Sequence, residues 1–264
     1  MFGYIGVMDF PDLREELAIA TEAARAAGDE VLRMRKDGLR YGRKEGWELV
    51  SEADIRASEM LHDALAKRFP LDGWLGEEHA DTAERLGRER VWVVDPIDGT
   101  REYLQGLPEF AVSVGLVVNG VPALGVVYNP AAERMTAACC LGAEERLPGR
   151  ELAKYDVLIG RGEARWDDIP PLPGKARTIG VGSVAYRLAL VATNTGDAAV
   201  TASGRSEWDV AAGIALCLAA GLRVTDIFGA PLRFNQQEPT VRGMIVAEPG
   251  LHERIRSHIA RYIR

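Results

Sequence analysis

Val91-Trp92-Val93-Val94-Asp95-Pro96-Ile97-Asp98-Gly99-Thr100 runs from a short apolar, β-branched segment straight into two carboxylates. The first four residues have the character of a buried strand, and Asp95-Pro96 ends it abruptly in a functional loop. Carboxylates at the end of a buried strand are costly to desolvate unless something positive neutralises them. No Lys or Arg lies between Asp95 and Asp98. A hard cation with oxygen ligands meets that need, and magnesium accepts two or three carboxylates while keeping waters for a phosphate. The spacing lets one carboxylate bridge two ions while the other holds only the second. Pro96 stiffens the turn, and the Ile97 carbonyl is a further candidate ligand. Gly99-Thr100 then opens a short helix whose first amides suit an anion. A strand-to-helix turn with Asp caps is the plainer alternative for this stretch taken alone.

Two other acidic clusters weigh against that alternative. Gly76-Glu77-Glu78 follows the apolar pair Trp74-Leu75, and Asp209 follows Trp208 at the start of a small-residue helix, Val210-Ala211-Ala212-Gly213. Singly, Glu77-Glu78 is a solvated charge pair and Asp209 or Asp54 a helix cap. The four histidines (His62, His79, His252 and His258) lack metal-ligand spacing and are assigned no catalytic role. Lys44-Glu45-Gly46-Trp47 is expected to be a surface turn.

Around this stretch, apolar residues recur with helical spacing over Asp12 to Lys36 and about Asp54 to Phe69, closed by Gly38 and Pro70. Ala111 to Val118 and Ala123 to Tyr128 form an expected hairpin joined by Asn119-Gly120 and Val121-Pro122. A weak strand lies near Val157 to Ile159, and Pro170, Pro171 and Pro173 are expected to connect two lobes meeting at about 140–175. Helices at Val184 to Ala192, Val210 to Ala220 and from Pro249, with strands at Ala198 to Thr201 and Met244 to Ala247, complete the pattern. Helices and strands alternate in blocks, so an α/β layered architecture in one unit over residues 1–264 is expected.

Composition limits the function classes. The chain has 264 residues, a hydrophobic fraction of 47%, a charged fraction of 27% and a net charge of -7. That balance opposes general affinity for nucleic acid or anionic membranes but allows a local basic site for a small phosphorylated substrate. Three cysteines (Cys139, Cys140 and Cys217) without paired spacing suit reduced thiols in a cytoplasmic protein. No signal peptide or membrane span is expected.

In order, Val50-Ser51-Glu52-Ala53-Asp54, Gly76-Glu77-Glu78, Asp95-Pro96-Ile97-Asp98-Gly99-Thr100 and Trp208-Asp209-Val210-Ala211-Ala212-Gly213 resemble the inositol monophosphatase family. The resemblance covers nearly the whole chain, to Gly229-Ala230-Pro231-Leu232. It implies an αβαβα sandwich of the inositol monophosphatase and fructose-1,6-bisphosphatase type, commonly a homodimer, with magnesium-dependent and often lithium-sensitive phosphomonoester hydrolysis. It further implies that Glu77, Asp95 and the Ile97 carbonyl hold a first metal, and that Asp95, Asp98 and Asp209 hold a second. Glu77 would meet a third through water. Thr100 with Asp54 resembles the dyad that orients and deprotonates the attacking water, and the Gly99 and Thr100 amides resemble phosphate donors. Two or three magnesium ions then drive an in-line displacement.

On the substrate side the sequence leaves the family pattern. The carboxylate that holds inositol hydroxyls in the family lies seven positions before the Trp-Asp aspartate, where this chain has Ala202, followed by Ser203-Gly204-Arg205. A cation there suits a second phosphate better than a sugar hydroxyl. Thr100-Arg101-Glu102-Tyr103 with Pro108-Glu109-Phe110-Ala111-Val112 resembles the 3′(2′),5′-bisphosphate nucleotidase branch, whereas Gly182-Ser183-Val184-Ala185-Tyr186 resembles the inositol-phosphatase form. Ser183 and Arg205 are the expected substrate contacts, and inositol monophosphate the expected substrate. Nucleotide 3′(2′),5′-bisphosphate, fructose-1,6-bisphosphate and histidinol phosphate are the alternatives, with a phosphatase-like regulatory binding protein as the non-enzyme reading. The segment Leu141 to Lys175 is shortened relative to the family.

Overall fold

The computed structural model describes residues 12–38, 41–43, 49–139, 153–166 and 169–262. The Lys44 to Trp47 turn, Cys140 and the segment at 141–152 lie outside these residues. The first half runs α1 (Arg14–Asp37), β1 (Tyr41–Arg43), β2 (Leu49–Ser51), α2 (Glu52–Arg68), β3 (Gly73–Gly76), β4 (Arg90–Asp98), α3 (Thr100–Leu104), β5 (Ala111–Val118), β6 (Val121–Asn129) and β7 (Arg134–Cys139). The second runs β8 (Lys154–Gly160), α4 (Arg161–Trp166), β9 (Lys175–Val181), α5 (Val184–Ala192), β10 (Ala198–Ser206), α6 (Glu207–Ala219), β11 (Arg223–Thr225), β12 (Thr240–Ala247) and α7 (Pro249–Ile259). One sheet has the order β3-β4-β5-β6-β7 and the other β11-β12-β10-β8-β9.

Strand alternation assigns the layers. Along β4, Trp92 and Val94 pack with Ala24 of α1 and Leu61 of α2, while Val91 and Val93 pack with Leu188 of α5 and Ile214 of α6. A sheet covered on both faces explains why the strand is apolar throughout rather than alternating with polar residues. Leu158, Ala199 and Val246 of the second sheet meet the same α5–α6 layer. Its opposite face, including Val157, Val200 and Ile245, packs on Leu251, Ile255 and Ile259 of α7. The order of layers is α1–α2, sheet, α5–α6, sheet, α7. This is the αβαβα sandwich.

The small-residue run of α6 has a steric cause. A Cβ on Gly125 of β6 would lie 2.1 Å from the Ala212 carbonyl oxygen, so helix and sheet are in backbone contact. That approach fixes the height of the α6 N-terminus, which carries Asp209. The hairpin turns more tightly than the sequence suggests. Val118 pairs with Val121, leaving a two-residue loop in which Asn119 and Gly120 both have positive φ (50° and 75°), as a twisted hairpin requires.

Pro170, Pro171 and Pro173 do not connect the sheets. They lie between α4 and β9, inside the second-sheet half. β8 and β9 are parallel neighbours, and a parallel pair needs a crossover, which the proline bend provides. The chain passes from one sheet to the other between Cys139 and Lys154. Among the described residues, no helix is long and apolar enough to cross a membrane.

Candidate active site

β3 and β4 run parallel, with Gly76 opposite Val94 and the Glu77 amide donating to the Val94 carbonyl at 3.2 Å. The register therefore sets Glu77 beside Asp95 at one end of the sheet. Beyond Asp95 the ladder to β5 slips: Asp95 pairs with Ser113 but Asp98 with Ala111, so β4 holds one extra residue. In a regular strand, residues three apart face opposite ways; one bulged residue returns Asp98 to the face of Asp95. Ile97 accordingly joins Trp92 and Val94 in the core against α1 and α2. Pro96, which has no N–H to give the ladder, sits within the bulge.

Gly99 has φ of 93°, and a Cβ there would approach the Glu109 carbonyl to 3.0 Å. Glycine thus allows the chain to turn sharply into α3. Thr100 opens α3, and its Oγ1 lies 3.1 Å from Asp54 Oδ1 and 3.0 Å from the Ile97 carbonyl. A hydroxyl has one proton, so it serves one of these acceptors at a time. Asp54 is fully buried at the start of α2, where its Oδ2 accepts from the Ser51 amide at 2.8 Å and the Ser51 hydroxyl at 2.5 Å. A capping box thereby holds the carboxylate against Thr100. Burial pushes its pKa up, opposed by the Ser51 bonds.

Glu77, Asp95, Ile97, Asp98, Gly99, Thr100, Arg205 and Asp209 line one cavity of about 690 Å³. Asp95 is raised well above the usual carboxylate range by burial, and then by the charges of Glu77, Asp98, Asp209 and Asp54. Asp209 is raised likewise by burial, Asp98 and Glu77. Such mutual repulsion is what an all-oxygen donor set shows before a hard cation balances it. Four carboxylates and the Ile97 carbonyl fit magnesium. Among the described residues, as they stand, no group of three acidic, His or Cys side chains is placed to hold a metal ion by itself.

Ser183 is a correction to the sequence expectation. It is fully buried, and its hydroxyl donates to Asp98 Oδ2 at 2.5 Å, while the Ala185 amide donates to the same oxygen at 2.5 Å. As the N-cap of α5 it also accepts from the Tyr186 amide at 3.0 Å. Its bonding capacity is directed at Asp98, not at the cavity.

With the acidic half assembled by strand ends and the α6 N-terminus, the comparisons with known proteins fall into place. The model of the inositol monophosphatase family matches residues 12–264. The chain belongs to the inositol monophosphatase family. It is 32% identical over 231 residues to the 3′(2′),5′-bisphosphate nucleotidase CysQ of Salmonella typhimurium, covering 82% of this chain and 93% of that one. It is 34% identical to the inositol-1-monophosphatase of Mesorhizobium japonicum (81% and 86% covered) and 34% identical to the Nus factor SuhB of Xylella fastidiosa (80% and 82%). Among solved structures, the inositol monophosphatase of Anabaena superposes with a TM-score of 0.73 at 26% identity, covering 95% of this chain and 97% of that one. The family supports phosphoric monoester hydrolysis.

The cavity also meets Arg161, which the sequence did not single out. Arg101, Glu102 and Arg161 line it together with Arg205. Arg161 is held by Glu109, its Nε 2.7 Å and its Nη2 2.5 Å from Oε2, and the Gly182 amide donates to the same oxygen at 3.0 Å. Burial raises Glu102, with Asp98 adding to the effect and Arg101 and Arg161 opposing it. Arg161 carries a faint signal, since it directly follows a weak strand in a Gly-Arg-Gly run. The partner of Arg161 lies 52 positions away, a distance at which no local pattern helps.

Proposed function

We propose that this chain is a magnesium-dependent phosphomonoesterase whose substrate carries a second anionic group, as a nucleotide 3′,5′-bisphosphate does. Arg205 carries this reading. It lines the cavity while Ala202, at the position of the family's hydroxyl-binding carboxylate, brings no acid. Among the described residues its one ion partner, Glu163, is 3.8 Å away, beyond hydrogen-bond reach, and its Nε has no acceptor. An anion in the cavity would reach the exposed part of this guanidinium, which donates no hydrogen bond among the described residues.

Glu77, Asp95, Asp98, Asp209 and the Ile97 carbonyl would hold magnesium, which supplies charge stabilisation and an activated water when bound. Thr100 would orient the attacking water and relay its proton to the Asp54 carboxylate, 3.1 Å from the Thr100 hydroxyl. The Gly99 and Thr100 amides receive phosphate oxygens, and Arg205 with Arg161 receives the second anion. Electrostatic stabilisation carries most of the rate, because monoester hydrolysis is so slow without a catalyst.

Phosphate release from inositol 1-phosphate, adenosine 3′,5′-bisphosphate and fructose-1,6-bisphosphate, with and without magnesium, tests both levels. The expected result is magnesium-dependent turnover with the highest kcat/KM on a bisphosphate. A preference for inositol 1-phosphate would restore the family's namesake substrate, and no magnesium-dependent turnover would reject the reaction. A regulatory reading has the SuhB relatives in its favour, since they are named Nus factors. Capture of a stoichiometric macromolecular partner equally well by wild type and Asp95→Asn would support it.

A further inference from the structure

Glu163, in the first turn of α4, is 4% exposed and has no assigned part in the chemistry above. Its carboxylate fills a gap between two strands. β8 and β10 pair in parallel at Val157 with Ala198 and Leu158 with Ala199, and the ladder then stops. Past that point Glu163 bridges the strands: Oε2 accepts from the Gly160 amide at 2.8 Å and Oε1 from the Ala202 amide at 3.0 Å. Oε1 also accepts from the Ser203 hydroxyl at 3.3 Å and faces Arg205 Nη2 at 3.8 Å; Oε2 meets Arg187 Nη1 at 3.3 Å. Every acceptor direction is occupied, so this carboxylate does not replace the missing acid at Ala202 as a ligand for substrate hydroxyls.

The charge count is the second observation. One carboxylate stands between two guanidiniums; Asp98 also acts on both, and Asp209 on Arg205. Arg187 is 1% exposed and cannot meet a substrate, whereas the Arg205 side chain is 30% exposed and lines the cavity. Burial alone would push Glu163 up, but Arg187, the Gly160 amide, Arg205 and the Ala202 amide together hold it below the usual carboxylate range. Glu163 thus stays charged. Without it, the repulsion between Arg187 and Arg205 would be offset by Asp98 and Asp209 alone.

We infer that Glu163 is a positioning residue for substrate choice: its charge, 3.8 Å from Arg205 Nη2, keeps Arg205 at the cavity wall, so that the second anionic group of a substrate is recognised through the Glu163–Arg205 ion pair. This rests on the bisphosphate reading above. The test is steady-state kinetics of the full chain with magnesium on adenosine 3′,5′-bisphosphate and inositol 1-phosphate, using Glu163→Gln, Arg205→Ala and the double variant. The expected result for Glu163→Gln is a KM about tenfold higher on the bisphosphate, with kcat within about threefold and a much smaller KM change on inositol 1-phosphate. The double variant should be no worse than Arg205→Ala alone, because the two act through one contact.

Because Glu163→Gln leaves Arg187 buried without its partner, folding is checked by thermal melting. If that variant fails to fold, Glu163→Leu with Arg187→Met removes both buried charges and must show the same KM shift. A bisphosphate preference kept in the Glu163 variants but lost in Arg205→Ala overturns this inference alone, as do additive effects in the double variant or equal losses on both substrates. Absence of any bisphosphate preference in the wild type overturns the underlying reading, and this inference with it.

Discussion

The two walls of the cavity are built in different ways. The acidic wall comes from the ends of β3 and β4 and the first turns of α2, α3 and α6, where each carboxylate is fixed by a strand register or helix cap. The cationic wall comes from the ends of β8 and β10, where Arg161 is bonded to Glu109 and Arg205 faces Glu163 at 3.8 Å, both partners coming from elsewhere in the chain. Chemistry that must not vary is carried by backbone registers, and recognition by side-chain pairs that a single substitution can rearrange. Under the function proposed above, the difference makes reaction and substrate separable.

That separation breaks most plainly at Asp95. Asp95→Asn is expected to lower kcat by about a thousandfold or more on every substrate, while the protein remains folded. Removing one of several repelling buried carboxylates should not lower, and is expected to raise, the melting temperature without magnesium. Unchanged turnover would reject the metal assignment. Thr100→Ala comes next, with kcat expected to fall about a hundredfold on both a monophosphate and a bisphosphate. A loss confined to one substrate would move Thr100 from the acidic wall's task to recognition.

A smaller effect concerns the stability of the second sheet. His252 on α7 is fully buried, with its Nε2 2.9 Å from the Thr225 hydroxyl. Burial, followed by the charge of Arg223, lowers its pKa to about 4. The folded state resists protonation that the unfolded chain accepts from a pH of about 6.5, so this contribution is present above that pH and is lost as pH falls towards 4. It amounts to about 3 kcal/mol by linkage. Urea midpoints at pH 7 and 4.5 should separate less in His252→Asn than in wild type; equal separations would place the acid sensitivity elsewhere. The smallest effect is the most selective: Arg205→Ala should lower kcat/KM about tenfold on adenosine 3′,5′-bisphosphate and far less on inositol 1-phosphate. Equal losses would merge the two walls into one.

The acidic wall was legible in the sequence because its residues come in contiguous motifs whose local conformation follows from Pro96, Gly99 and the Ser51 cap. β4, β5, α5 and α7 showed themselves through apolar runs, helical spacing and punctuation by Gly and Pro. β3, β9 and β11 did not, because they are short or half-exposed strands whose pairing rather than composition defines them. Ser183 illustrates the limit: the helix that follows it was visible, but its bond to Asp98, 85 positions away, was not. Glu163 had no local mark, since its role is the sum of contacts to Gly160, Arg187, Ala202, Ser203 and Arg205.

The bulge at Asp95 to Asp98 makes the acidic wall sensitive to counting as well as to chemistry. Deleting one residue there would keep both aspartates and the apolar strand that precedes them. It would also turn Asp98 away from Ser183 and Asp209 and into the hydrocarbon packed beneath α1 and α2. The motif behaves as a ruler graduated in single residues, and a change of length would be more damaging than most changes of letter.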